Sequence, residues 1–111
     1  MSEAGAYQKR RTETILEQIT QGKSYVVVTK NAINTPVKKD GIAILDIYYR
    51  KTEIRININE SSVQYTRYLD LKNKGIAYQK PTADPKGRNG IYAFFVSDEN
   101  ARTALQYLLG I

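Results

Sequence analysis

Between residues 5 and 21, Tyr7, Ile15, Leu16 and Ile19 recur at helical separations while Gln8, Lys9, Arg10, Arg11, Glu13 and Glu17 occupy the other faces. This spacing predicts an amphipathic helix that stops at Gly22. Residues 24–30, Ser-Tyr-Val-Val-Val-Thr-Lys, are rich in β-branched and aromatic side chains and read as a strand. The stretch from Asn31 to Gly41 contains Pro36 and a Lys-Lys-Asp-Gly turn, so it is expected to be a connection to the next strand. Ile42 to Tyr49 and Glu53 to Asn59 then form two strands paired around the Arg50-Lys51-Thr52 turn. The second alternates Ile54, Ile56 and Ile58 with Arg55, Asn57 and Asn59. Polar residues from Asn59 to Ser62 cap a helix running to about Lys74, which carries Val63, Tyr65, Tyr68, Leu69 and Leu71 and ends at Gly75.

Residues 76–80 predict a short strand, and the turn-forming residues from Pro81 to Gly90 a long hairpin connection. The stretch from Gly90 to Gly110 is the best-marked part of the chain. Its strand places Tyr92, Phe94 and Val96 on one side and Ile91, Ala93 and Phe95 on the other. A helix follows Ser97, with Asp98 and Glu99 in its first turn and an apolar stripe of Ala101, Ala104, Leu105, Leu108 and Leu109. Phe95 and this stripe are expected in the core, with Tyr92 and Phe94 left either buried or exposed. The predicted order is α-β-β-β-α-β-β-α: one compact α+β domain over residues 1–111, its helices covering a largely antiparallel sheet. Residues 1–5 and 81–90 are expected to be mobile.

A chain of 111 residues suits a single hydrophobic core. The sequence has no cysteine and no histidine, which excludes disulfides, thiolate zinc sites, thiol nucleophiles and histidine-based acid–base chemistry. No cofactor is implied. Seventeen Lys and Arg against eleven Asp and Glu give a charge of +6, which favours anionic partners. Residues 61–90 concentrate this charge: Arg67, Lys72, Lys74, Lys80, Lys86 and Arg88 face only Asp70 and Asp84. No apolar run approaches the ~18 residues of a membrane span, and the first residues lack an apolar signal core. A cytoplasmic location without a membrane partner is expected.

Basic and aromatic residues interleave at Lys23-Ser-Tyr25, Tyr48-Tyr49-Arg50-Lys51, Tyr65-Thr-Arg67-Tyr68 and Tyr78-Gln-Lys80. Rings that stack on bases and cations that pair with phosphates hold single-stranded nucleic acid in this way. The expectation is a small basic, non-enzymatic module that binds nucleic acid. Arg50, Lys51, Arg67, Lys80, Lys86 and Arg88 would meet phosphates, and Tyr48, Tyr68, Tyr78 and Tyr92 would stack. The same Tyr/Arg surface also suits a protein-interaction or regulatory module, including a homodimer through a strand edge. The loop from Asp84 to Gly90 lacks the glycine spacing of a phosphate cradle and reads as a basic tip.

Two family resemblances carry further expectations. The segment Tyr92-Ala93-Phe94-Phe95-Val96, followed by Asp98 to Leu105 and a Leu-Gly ending, resembles the aromatic strand and second helix of an RNA-recognition motif. That resemblance implies Tyr92 and Phe94 as stackers and Arg88 as the cation beside them. The rest of the element order differs from that family, and Ile91 adds a residue to the usual spacing. The order helix, three strands, helix, strand is similar to the core of restriction-endonuclease-like nucleases. That similarity implies a magnesium site in which Asp40 or Asp46 is the first ligand, Glu53-Ile-Arg55 the second element, and Glu13 or Glu17 a helix contribution. Arg55 stands where that family has lysine.

Overall fold

The computed structural model describes residues 2–81, 85, 86 and 88–111, with the Arg88 side chain outside the described residues. Ser2 caps the first helix, α1 (Glu3–Thr20), by accepting the Gly5 amide at 3.1 Å, so the helix starts two residues earlier than its apolar spacing indicates. Four strands follow without interruption: β1 (Tyr25–Val27), β2 (Asn34–Lys39), β3 (Ile42–Tyr49) and β4 (Glu53–Asn59). Helix α2 (Val63–Asn73), the short β5 (Ala77–Tyr78), β6 (Ile91–Ser97) and α3 (Ala101–Leu109) complete the chain. Single 3-10 turns at Arg88–Gly90 and Asp98–Asn100 flank β6.

The six strands form one antiparallel sheet in the order β1-β2-β3-β4-β6-β5. The α+β class stands, with one strand more than expected: the predicted connection from Asn31 to Gly41 contains β2. Proline is rare in an interior strand because it donates no ladder bond. Here the Pro36 carbonyl accepts the Val28 amide at 2.9 Å, which points the amide-less edge of Pro36 toward β1 just past its last residue. The ladder to β3 therefore loses nothing. That ladder shifts register after Val37, which leaves Ile44 of β3 as an unpaired bulge residue.

Alternation sorts the strand residues cleanly. Val37, Leu45, Ile47, Ile54, Ile56, Ile58, Phe94 and Val96 all face the helices and are at most 2% exposed. Leu16 of α1, Tyr68 and Leu71 of α2, and Ala101, Ala104, Leu105, Leu108 and Leu109 of α3 cover them. The three helices thus lie on one face of the sheet. Phe94 enters this core, its ring stacked on Tyr68 at 4.4 Å. Phe95, expected in the core, is buried on the opposite face instead.

A polar chain fastens α1 to the sheet beneath it. The Tyr49 hydroxyl donates to Thr35 Oγ1 at 2.6 Å, and the Thr35 hydroxyl donates to Glu13 Oε2 at 2.6 Å. The same carboxylate oxygen pairs with Lys9 Nζ at 2.9 Å. At the other end of the domain, α3 stops where Gly110 turns to φ 71° and Ile111 N–H reaches back to the Gln106 carbonyl. The Cα radius of gyration of 12.9 Å matches the ~13 Å expected of one domain this long.

Candidate nucleic-acid interface

The face of the sheet away from the helices carries a row of side chains set by register. Tyr48 of β3 pairs with Arg55 of β4, Arg55 with Phe95 of β6, and Phe95 with Tyr78 of β5, while Asn34 of β2 extends the row past Tyr48. Five strands at ~4.8 Å spacing make the row about 19 Å long. Its members touch. The Arg55 guanidinium lies 4.6 Å from the Tyr48 ring centre, and the Tyr78 and Phe95 rings are 6.1 Å apart and within 24° of parallel. Lys80 places its ammonium 4.7 Å from the Phe95 ring centre.

Two carboxylates hold this arrangement. Glu53 accepts the Tyr78 hydroxyl at 2.9 Å and pairs with Lys80 at 2.5 Å. Asp46 accepts the Asn34 amide at 2.8 Å and the Tyr48 hydroxyl at 3.2 Å. Burial, followed by the Glu53 carboxylate, pushes the Tyr78 hydroxyl up to about 12, and burial followed by Asp46 raises Tyr48. Both rings therefore stay neutral over any physiological range. The buried Arg55 Nε and Asn57 Oδ1 have no hydrogen-bond partner among the described residues. Beside them β3 and β4 splay, opening a 250 Å³ notch lined by Asp46, Asn57, Asn59 and Ile91.

The expected site residues divide between this face and other places. Tyr48, Tyr78 and Lys80 lie on it, and the exposed Arg50 and Lys51 lie at its rim in the β3–β4 turn. Tyr68 is fully buried beneath the helices, so its ring packs on Phe94 and offers no stacking face. Tyr92 also faces the helices, edge-on to Tyr65 at 5.2 Å, with burial raising its hydroxyl pKa. The two stackers implied by the RNA-recognition-motif resemblance, Tyr92 and Phe94, are therefore both on the covered side. Arg67 donates to the Leu108 carbonyl at 3.0 Å and ties α2 to α3, while Lys86 lies 3.5 Å from Glu60. The Arg88 side chain, with Asp84 and Gly87 of the expected basic tip, lies outside the described residues.

Arg55 and Phe95 belong to the row but were not among the expected contacts. The hairpin around Arg50-Lys51-Thr52 already places residues 48 and 55 opposite one another, a signal available in the strand pattern. The nuclease arrangement does not assemble. Asp46 and Glu53 share the open face, but Asp46 sits opposite Asn57, four residues along β4 from Glu53, a separation of about 13 Å. Glu13 is engaged by Thr35 and Lys9 on the other side of the sheet, and Asp40 sits in the β2–β3 turn. Among the described residues no group of three acidic side chains is placed to hold a metal ion. None of the described helices is long and apolar enough to cross a membrane.

Comparison of the chain with protein-family models, curated proteins and solved structures finds no significant match.

Proposed function

We propose that the chain is a small basic module that binds single-stranded nucleic acid on the uncovered face of its sheet. The observation that carries this reading is the row Tyr48–Arg55–Phe95–Tyr78 across four strands, in which the part-exposed Tyr48, Arg55 and Tyr78 offer flat surfaces and the buried Phe95 ring supports Tyr78 from beneath. Unpaired bases stack on such surfaces without regard to sequence, and nearby cations take the phosphates. Lys80 on the face and Arg50 and Lys51 at its rim supply those cations. A duplex buries its base faces, so the row favours single strands.

The test is fluorescence anisotropy of a labelled single-stranded oligonucleotide over a range of salt. With the Arg55 guanidinium counted as a fourth, these cations at ~0.7 released counterions each set a log–log slope no steeper than about −2.8. Arg55→Ala with Lys80→Ala should weaken binding at least tenfold and flatten the slope. Absence of binding at low salt, or binding indifferent to both salt and these substitutions, would sink the reading. A homodimer through a strand edge has less to stand on: the outer strands are three and two residues long and offer few unpaired backbone groups.

A further inference from the structure

A second cavity, larger than the sheet-face notch, lies on the outer side of the helical layer. A groove of 680 Å³ runs between α1 and the turn that leads into α3. Its α1 wall is formed by Tyr7, Arg10, Arg11, Thr14, Ile15 and Gln18, residues spaced so that one helical face lines the groove. Arg102 closes it from α3, and Glu99 is the one carboxylate in a lining with three guanidinium groups. The helical pattern accounts for Ile15 and Leu16 as core residues, but not for arginines gathered at the seam where two helices meet.

The three arginines stand in different states. Arg11 is committed to structure, because its Nη1 donates to the Asp98 carbonyl at 3.0 Å and pins the turn before α3. Arg102 reaches across the groove and donates to the Gln18 side chain. Arg10 is exposed, and its guanidinium has no hydrogen-bond or ion-pair partner among the described residues. Converging guanidinium groups repel one another unless an anion joins them, and arginine does not escape by losing its proton. Phosphate oxygens match the guanidinium fork. Tyr7 is 61% exposed at one end of the groove, an aromatic ring left in water beside the arginines.

We propose that this groove is a binding site for a nucleoside di- or triphosphate, with the phosphate chain between Arg10 and Arg102 and the base against Tyr7. The volume falls within the ~300–1,000 Å³ usual for small-molecule sites. Gln18, whose Oε1 accepts from Arg102, presents its Nε2 amide as a neutral donor along the same wall. The site lies on the opposite side of the domain from the sheet-face interface and stands independently of it.

Calorimetric titration of the full chain at low salt with orthophosphate, tripolyphosphate, ADP and ATP tests the proposal. Tripolyphosphate should bind and orthophosphate should bind at least tenfold more weakly. ATP should bind about fivefold more tightly than tripolyphosphate, the increment of one base–ring stack. Arg10→Ala and Arg102→Ala should each weaken ATP and tripolyphosphate about tenfold. Tyr7→Ala should reduce ATP to the affinity of tripolyphosphate and leave the latter unchanged. All three positions are exposed, and circular dichroism confirms that each variant is folded. No binding of either polyphosphate, affinities unmoved by the arginine substitutions, or ATP no tighter than tripolyphosphate would overturn the assignment. So would loss of ATP binding in Arg55→Ala/Lys80→Ala, or loss of oligonucleotide binding in Arg10→Ala/Arg102→Ala. Those two arms separate failure of this site from failure of the sheet-face interface.

Discussion

Replacing Thr35 with valine should destabilise the domain, and removing a second polar group should then restore part of the loss. Thr35 is fully buried, and its hydroxyl is the middle link between the Tyr49 hydroxyl and the Glu13 carboxylate. Valine keeps its volume. Thr35→Val breaks two hydrogen bonds, each worth about 1 kcal/mol net, and leaves the buried Tyr49 hydroxyl without an acceptor at a cost of ~1–3 kcal/mol. The expected loss is about 3–5 kcal/mol. Glu13 is spared the same fate because its Oε2 still pairs with Lys9. Tyr49→Phe alone removes one bond and one hydroxyl together, for about 1 kcal/mol. In Thr35→Val/Tyr49→Phe no orphaned hydroxyl remains, so the double variant should be at least ~1 kcal/mol more stable than Thr35→Val. Urea unfolding followed by circular dichroism measures all four proteins, with equal m values as the check on two-state behaviour. A double variant whose loss equals the sum of the two single losses would refute the reasoning, because the penalty would then not reside in the stranded Tyr49 hydroxyl.

Leu105→Ala, at a fully buried position in α3, should cost ~2–5 kcal/mol through lost transfer energy and a residual cavity, measured as a fall in the urea midpoint. Stability should also fall as pH rises above about 10, where unfolded tyrosines ionise. Tyr78 is pushed up to about 12, and burial raises Tyr48, Tyr49 and Tyr92 in the same direction. Their neutral forms are favoured in the folded state, so this contribution is complete below pH 10 and lost progressively toward pH 12 and beyond. Melting temperatures recorded across that window should decline, and Tyr78→Phe should flatten part of the slope; a flat profile for the native chain contradicts the raised values.

The elements legible in the sequence are those in which local pattern and tertiary role agree. The Ile54, Ile56, Ile58 alternation and the Ala101 to Leu109 stripe each specify one buried face, and both bury that face. β2 was hidden because Pro36 argues against an interior strand when only its own neighbours are considered. Its tolerance depends on β1 ending one residue too soon to require the missing amide, a property of another segment. The Phe94-Phe95 pair was undecidable for a related reason. Both faces of β6 are apolar, and which ring meets the helices depends on pairing with β4 and on the Tyr68 ring that fills the space above Phe94. The aromatic–basic interleaving offered Tyr48, Tyr78 and Lys80 as contacts, three residues that share one face of the sheet. It misassigned Tyr68 and Tyr92 because adjacency along a helix or strand says nothing about which side is covered. The α1–α3 groove lay beyond sequence reasoning altogether, since residues 10 and 102 come together only through helix packing.

Helix α3 imposes an order on how the chain can be built. Its five buried residues, from Ala101 to Leu109, touch both α1 and α2 and sit over β6. On a ribosome, the N-terminal meander can pair as it emerges, but its helix-facing isoleucines have no complete cover until Leu109 has left the exit tunnel. That apolar face therefore stays incompletely shielded until α3 has emerged, and release of its last turn is the event that lets the core close.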